Sequence, residues 1–215
     1  SDLIPSLSQD FFALQPRAGE AVRHFIRNSH RALLVMKADD QAEYASLLEG
    51  FIQKHQPEMG VCGVQYTVEQ GDSFSFPRIY AEPAQSLEDN FAAKKSVATA
   101  LYFDQFQLFG SLKVHASSHD IQLHAGLVHQ LNNGVLIVSA GALLAQFDLW
   151  QRLKQILTTG VFDWYSAHPF KTLPCEIPSY PLSLKVIVLG NRTELAALEE
   201  LEEALYHLAD YAEIE

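Results

Sequence analysis

Short runs of apolar residues alternate with amphipathic stretches along the chain. Four of these runs are continuous rather than alternating, and they cover residues 32–36, 61–68, 134–138 and 184–189. A strand that is apolar on both faces is typical of a parallel sheet covered by helices on both sides. We therefore predict four buried strands that belong to one parallel sheet.

The stretches between these runs predict helices. Apolar residues recur at steps of three and four in residues 41–54, 142–157 and 194–208, and Pro16 is suited to begin a further helix. Alternating strands and helices require right-handed crossovers. The pattern predicts an α/β fold with a doubly wound, mostly parallel sheet, to which residues 210–215 could add an edge strand.

The middle of the chain follows another pattern. Residues 71–83 contain glycine and proline and predict a loop, whereas residues 101–110 are strongly aromatic. Residues 111–123 alternate like a hairpin with a turn near 117–120. We predict a single domain over residues 1–215, with an insertion at approximately 70–124 and an irregular connection around Pro169, Pro174, Pro178 and Pro181.

Composition narrows the class of protein. The chain has 215 residues, of which 48% are apolar and 19% charged, as expected for a globular domain with a core. A net charge of −11 argues against a nucleic-acid or anionic-membrane partner, and no apolar run approaches the ~20 residues that span a bilayer. Cys62 and Cys175 have no CxxC partner, which fits a reducing compartment. We expect a cytoplasmic protein.

The acidic residues are concentrated near the end of the sequence. Residues 194–215 contain eight Asp or Glu and neither Lys nor Arg. Such a run is usually the solvated face of a helix. A surface for a basic partner or a neighbouring subunit is the alternative, and both interpretations stay open.

A nucleotide would bind after the first strand, and the residues there do not suit it. A phosphate-binding loop needs glycines that let backbone N–H groups approach the phosphates, followed by Lys and Ser or Thr. Residues 37–44 contain no glycine, Lys37 precedes the loop, and Asp39 and Asp40 lie where phosphate charge would be. We predict a capped helix start here.

The third apolar run ends in a similar way. An NTPase places an acidic pair after this strand, one residue for Mg²⁺ and one for the attacking water. Ser139 and Ala140 stand at these positions. Each lost charge-assisted contact removes ~1.5–3 kcal/mol, so we predict that the chain does not hydrolyse nucleotide.

Several segments resemble one protein family. Residues 126–138 (GLVHQLNNGVLIV) are similar to the stretch that leads through the Walker B strand of Lon-like proteases of the archaeal type, and bacterial Lon-related proteins carry similar segments. Residues 143–157 resemble the helix that follows, and 181–191 resemble the strand that ends in the sensor-1 residue, here Asn191. Residues 15–18 are similar to the family's Gly-Gln-x-x-Ala opening without its glycine.

The resemblance implies the α/β half of an AAA+ module, of the P-loop NTPase type, attached to a Ser-Lys peptidase that cleaves proteins. Relatives use ATP and Mg²⁺ and form rings, often hexamers. We expect this chain to be a fragment whose lid and peptidase domains follow, and whose partners are these domains, protein substrates and further copies in a ring. Because both nucleotide motifs depart from the pattern, we predict no cofactor, no metal and no catalytic residue in this chain. Asn191 would then make a strand-end hydrogen bond.

Three hypotheses follow for function. The first is a non-hydrolysing AAA+-like domain of a Lon-related serine protease that serves substrate recognition or assembly. The second is a stand-alone interaction module with no protease partner, and the third is an ATPase that uses unorthodox residues. For the first hypothesis, the aromatic residues that could contact substrate are Phe103, Phe106 and Phe109, beside Tyr102; the alternative for this cluster is packing against the sheet.

Four histidines occur within fifteen residues, at positions 115, 119, 124 and 129. Histidine is a common metal ligand, but these spacings span a predicted turn and only Asp120 adds a carboxylate nearby. We therefore favour exposed or hydrogen-bonded histidines over a metal site. A Ser118–His119–Asp120 sequence does not make a catalytic triad, because adjacency along the chain does not provide the geometry.

Overall fold

The computed structural model describes residues 3–72, 74–115, 117, 120–164 and 175–215. A five-stranded parallel sheet lies at its centre. In spatial order the strands are β12 (Ala209–Glu213), β1 (Leu33–Lys37), β11 (Leu184–Gly190), β8 (Gly134–Ser139) and β5 (Val97–Ala100). Three of the four predicted strands and the predicted C-terminal edge strand are confirmed.

Helices cover both faces of the sheet. On one face pack α1 (Leu3–Ala13), α2 (Pro16–Arg27) and α3 (Gln41–His55), whose buried Phe25 and Phe51 meet alternate strand residues such as Leu34. The other face packs against α6 (Ala140–Ala145), α7 (Phe147–Thr159), α8 (Arg192–Leu201) and α9 (Leu205–Leu208). The doubly wound α/β fold is confirmed. No helix in the described residues is long and apolar enough to cross a bilayer.

Two of the predicted helices are each divided. The stretch 142–157 is interrupted at Gln146, whose backbone leaves the helical region while its side chain donates to the Phe103 carbonyl at 2.6 Å. The stretch 194–208 is interrupted at Glu202, which accepts hydrogen bonds from Trp150 at 3.2 Å and Lys154 at 2.7 Å. In both places a polar side chain is used for a long-range contact, which apolar periodicity does not reveal.

The predicted strand at residues 61–68 is present, but its predicted place in the parallel sheet, buried on both faces, is wrong. Strand β2 (Gly63–Glu69) pairs antiparallel with β3 (Arg78–Pro83) and β4 (Phe91–Ala92) in a separate three-stranded sheet. Val64 and Tyr66 are buried while Gln65 and Thr67 are exposed, so the strand is covered on one face only. Residues 78–83, predicted as loop, form β3.

The fifth strand of the central sheet is β5, within the range predicted as an insertion. The hairpin prediction for 111–123 is confirmed: β6 (Ser111–Val114) pairs antiparallel with β7 (Ile121–His124), and turn residues 116, 118 and 119 lie outside the described part of the chain. The side-chain amide of Gln70 donates to the carbonyl of Ile121 and accepts from its N–H, both at 3.1 Å. This pair of hydrogen bonds joins β2 to β7.

The remaining elements connect these parts. They are α4 (Gln105–Phe109), α5 (Leu127–Gln130) and a two-stranded ribbon of β9 (Val161–Phe162) and β10 (Tyr180–Pro181). Pro169 and Pro174 of the predicted irregular connection fall outside the described residues.

An aromatic junction holds the three-stranded sheet to the rest of the domain. It consists of Phe91, His129, Phe162 and Trp164, with Tyr66 at its rim. The His129 ring stacks on the Trp164 ring with centroids 5.6 Å apart. The Phe162 ring meets the His129 ring edge-on, with centroids 4.2 Å apart. Edge-to-face and stacked pairs of this kind add ~0.5–1.5 kcal/mol each beyond burial.

Candidate functional site

The carboxyl ends of β1, β8 and β11 meet at one edge of the central sheet. We call this the carboxyl-edge site and define it as residues 37–41, 139–141 and 190–194. In doubly wound folds, ligands bind outside the carboxyl ends of the strands, where the strand order reverses. All six positions that the sequence singled out for the nucleotide site lie here: Lys37, Asp39, Asp40, Ser139, Ala140 and Asn191.

The segment after β1 passes directly into α3. The Ala38 N–H donates to the Gly190 carbonyl at 2.9 Å, so the backbone stays tied to β11 beyond the strand. The Asp40 carboxylate accepts from the Glu43 N–H at 3.2 Å and caps α3. The predicted capped helix start is confirmed, and Asp39 and Asp40 are both exposed.

Glu194 forms hydrogen bonds with two of the three segments, those at residues 37–41 and 190–194. Its carboxylate accepts from the Asn191 N–H at 3.0 Å and from the Gln41 side-chain amide at 2.6 Å. In return, the Asn191 side chain accepts from the Glu194 N–H at 2.8 Å, which completes a capping box for α8. Asn191 therefore makes a hydrogen bond at the strand end, as predicted.

The third segment is packed against the same carboxylate. A Cβ atom at Gly141 would lie 2.8 Å from the Glu194 Oε2 atom, so the first turn of α6 approaches this glutamate closely. A Cβ at Gly190 would lie 2.8 Å from the Ala140 Cβ. The ends of β8 and β11 are therefore closely packed, and the Glu194 carboxylate lies against the first turn of α6.

Ser139 and Ala140 occupy the positions where an NTPase carries its acidic pair. The Ser139 hydroxyl donates to the Leu101 carbonyl at 2.8 Å and accepts from the Ala142 N–H at 3.1 Å, which caps α6. Ala140 is fully buried. Neither residue offers a carboxylate to Mg²⁺, and the neighbouring Asp39, Asp40 and Glu194 would repel phosphate. The residues of the carboxyl-edge site do not fit ATP and Mg²⁺.

The structure places the predicted substrate-contact residues in different surroundings. Phe109 is fully buried and Phe103 is 7% exposed, so both residues pack inside the domain, and Phe103 contributes only a small exposed area to the cavity beside Phe106. The guanidinium carbon of Arg152 lies 4.3 Å from the Phe109 ring centroid. This corrects the prediction for these two residues, while Phe106, at 54% exposed, remains a predicted contact.

Phe106 borders a cavity of about 320 Å³. Tyr102, which follows the end of β5 and is 89% exposed, lines the same cavity together with Leu127. Tyr102 belongs to the aromatic cluster that the sequence analysis considered for contact with substrate.

The histidines occupy separate places. His115 and His124 are exposed, and His119 lies outside the described residues. His129 is fully buried, and its Nδ1 atom accepts from the Gly126 N–H at 2.8 Å. Burial and, to a smaller extent, the charge of Arg152 lower the pKa of His129 to about 3, so the ring is neutral. In the part of the chain that the structure describes, no three metal-ligating side chains form a group.

The family described as "LonB-like, AAA domain" matches residues 95–209, which is more than half of the chain. The chain belongs to this family. The match begins just before β5 and ends at the first residue of β12, so β1 and the segment after it lie outside it. The predicted relationship to Lon-like proteins and the α/β fold of the AAA+ type are confirmed at the level of a Lon-related AAA domain.

Two curated relatives extend the similarity of this LonB-like AAA domain. A protein of Haemophilus influenzae named "Putative Lon protease homolog" is 63% identical over 207 residues, which cover 96% of this chain and 34% of that protein. A protein of Escherichia coli K12 with the same name is 38% identical over 207 residues, covering 95% and 34%. The chain thus spans about a third of the length of these relatives.

Among solved structures, NtrX from Brucella abortus is similar with a TM-score of 0.48 and 8% sequence identity. The similarity covers 93% of this chain and 35% of NtrX.

Proposed function

We propose that this chain is the non-hydrolysing AAA+-like domain of a Lon-related, ATP-dependent serine protease of the archaeal type. In this proposal it serves substrate recognition or assembly for proteolysis in the cytoplasm. The lid and the Ser-Lys peptidase belong to other parts of a longer protein, which assembles as a ring. The observation that supports the proposal is the Glu194 carboxylate, which contacts the segments that follow β1, β8 and β11 and would repel a phosphate group bound there.

The helix N-termini at the carboxyl-edge site support this proposal. A phosphate binds at a helix N-terminus through free backbone N–H groups. Here Asp40 caps α3, Ser139 caps α6 and Asn191 caps α8. A nucleotide would have to displace these side chains, and each cap contributes ~0.5–2 kcal/mol of stability.

Calorimetry with ATP, ADP and Mg²⁺ tests the proposal. We expect no binding heat up to millimolar nucleotide, since the site provides carboxylates where phosphate oxygens need donors. The variant Glu194→Gln keeps the hydrogen-bond acceptor and removes the charge, so it serves as the matched control for repulsion by this one group. Micromolar binding by the unmodified chain, or measurable ATP turnover, would show that the proposal is wrong.

The substrate-binding part of the proposal rests on Phe106 and Tyr102, whose rings are exposed beside the 320 Å³ cavity. Truncation of both residues to alanine should weaken crosslinking of an unfolded protein such as reduced casein to the full-length protein. Phe74→Ala, at a phenylalanine that is 99% exposed and does not line this cavity, is the control. Equal losses in both variants would contradict a specific role for this cavity.

A further inference from the structure

The outer edge of the central sheet is open over a short, well-defined length. Among the described residues, β12 pairs with β1 alone. The Ile214 N–H donates to the Lys37 carbonyl at 2.9 Å, so Ile214 and Ala212 direct their backbone groups toward β1. The backbone N–H and C=O groups of successive residues in a strand point to opposite sides. Those of Tyr211 and Glu213 therefore point away from β1, toward the unpaired side of β12.

Both ends of this edge are closed by side chains. Arg31 donates to the Ala209 carbonyl at 2.8 Å. The Gln15 amide donates to the Glu215 carbonyl at 2.7 Å and accepts from its N–H at 3.1 Å. The backbone that remains open is therefore that of Tyr211 and Glu213, which is enough to pair with a short extended segment of about three residues.

An aromatic pair lies beside the open edge. The rings of Tyr206 and Tyr211 meet nearly at right angles, with centroids 5.8 Å apart, and the two residues are 37% and 45% exposed. Tyrosine faces that stay open to solvent attract the ammonium and guanidinium groups of Lys and Arg. The edge therefore offers both backbone pairing and aromatic contact.

Carboxylates beside the tyrosine pair favour a positively charged binding partner. Glu213 accepts from the Tyr211 hydroxyl at 2.8 Å, and the charge of Glu199 acts on Tyr206. Arg192 is the basic group whose charge reaches Tyr211. From residue 194 to 215 the chain has eight acidic residues and no Lys or Arg, and Arg31 at the start of the edge is paired with Asp210 at 3.8 Å, so acidic groups outnumber basic groups in this region.

We propose that the outer edge of β12, with Tyr206 and Tyr211 beside it, binds an extended polypeptide segment rich in Lys and Arg. The segment adds a short strand at Tyr211 and Glu213 and places alternate basic side chains over the tyrosine rings and against Glu199 and Glu213. This inference rests on the proposed function in substrate recognition or assembly, because it names the class of polypeptide that such a domain would bind.

Hydrogen exchange measured by NMR tests the strand pairing. The probe is an eight-residue peptide of alternating Lys and Thr, added to the whole chain. We expect the amide protons of Tyr211 and Glu213 to become at least about tenfold more protected, while those of Ala212 and Ile214, already bonded to β1, stay unchanged. A peptide of alternating Lys and Pro has the same charge, but every second residue has no N–H and has φ fixed at about −65°, which disfavours strand pairing, so it should give much weaker protection.

Fluorescence anisotropy with the same labelled peptides tests the charge. The double variant Glu199→Gln, Glu213→Gln should bind the Lys-Thr peptide about five- to tenfold more weakly, since each exposed charge pair contributes up to about fivefold. Glu58→Gln combined with Glu88→Gln removes the same charge at other exposed positions and should have little effect. Equal binding of Lys-Thr and Glu-Thr peptides, or an equal loss in both double variants, would overturn the inference.

The two proposals fail in different ways. Absence of peptide protection at Tyr211 and Glu213 in a sample that also binds no nucleotide overturns this inference alone. Nucleotide binding in a sample that does show the protection overturns the non-hydrolysing role and leaves the edge site standing.

Discussion

The carboxyl-edge site and the aromatic junction are both closed, but by different means. At the carboxyl-edge site, polar side chains cap three helices and one carboxylate links two segments. At the aromatic junction, rings surround a fully buried, neutral histidine. Loss of one polar cap should lower the free energy of unfolding only slightly, whereas loss of one ring leaves a cavity in a closely packed cluster. The stability of the protein should therefore be far more sensitive to mutations in the aromatic junction.

The largest effect should follow from truncation in the aromatic junction. His129→Ala removes a fully buried ring and leaves a cavity among Phe91, Phe162 and Trp164, so the free energy of unfolding should fall by about 3 kcal/mol. Urea titration followed by circular dichroism measures the change. His124→Ala, at an exposed histidine in β7, should change stability by less than about 0.5 kcal/mol. A loss below 1 kcal/mol for His129→Ala would contradict the importance of packing here.

Acid should destabilise the junction as well. The folded-state pKa of His129, about 3, lies below the ordinary value of 6.5, so the unfolded chain binds a proton that the folded chain excludes. Stability should therefore decline as pH falls from 6.5 toward 3, by up to about 1.4 kcal/mol per pH unit from this group, or about 2 kcal/mol at pH 5.

The variant His129→Gln isolates this contribution, since glutamine keeps an acceptor for the Gly126 N–H and does not titrate. Urea midpoints of the two proteins should approach each other as the pH is lowered from 7 to 5. A difference that is constant with pH would show that His129 binds a proton as readily in the folded state as in the unfolded chain.

The smallest effect should come from the carboxyl-edge site. Asn191→Ala removes the cap of α8 and its bond to the Glu194 N–H, and we expect a loss of about 1 kcal/mol. Thermal unfolding provides the measurement, and Gln155→Ala on the exposed side of α7 provides a control near zero. If Asn191→Ala costs as much as His129→Ala, the contrast between the two closures does not hold.

Apolar periodicity predicted most of the central sheet because β1, β8 and β11 are continuous apolar runs, buried on both faces. It missed β5 because that strand is only four residues long and contains two alanines, in an aromatic and loop-rich region. It misassigned β2, in which exposed Gln65 and Thr67 alternate with buried residues, because the surrounding apolar residues concealed the period of two.

At the carboxyl-edge site, the sequence was sufficient to predict the cap of α3 at Asp40, since a helix cap depends on residues that are close together along the chain. The contact between Glu194 and Gln41 was not predictable, because it joins residues 153 positions apart. The spacing of Asn191 and Glu194 is that of a capping box and was the available signal. Burial of Phe103 and Phe109 likewise depends on how the segment after β5 folds back onto the domain.

The two hydrogen bonds from Gln70 to Ile121 have a mechanical consequence. The hairpin of β2 and β3 ends in a loop where Phe74 is 99% exposed, and the Gln70 amide clamps the base of that loop to the start of β7. We expect a displacement of the loop at Phe74 to be transmitted to the hairpin of β6 and β7 through these hydrogen bonds. The two hairpins are thus joined by hydrogen bonds from one side chain in addition to the apolar packing of Ile79 and Ile121 in the same core.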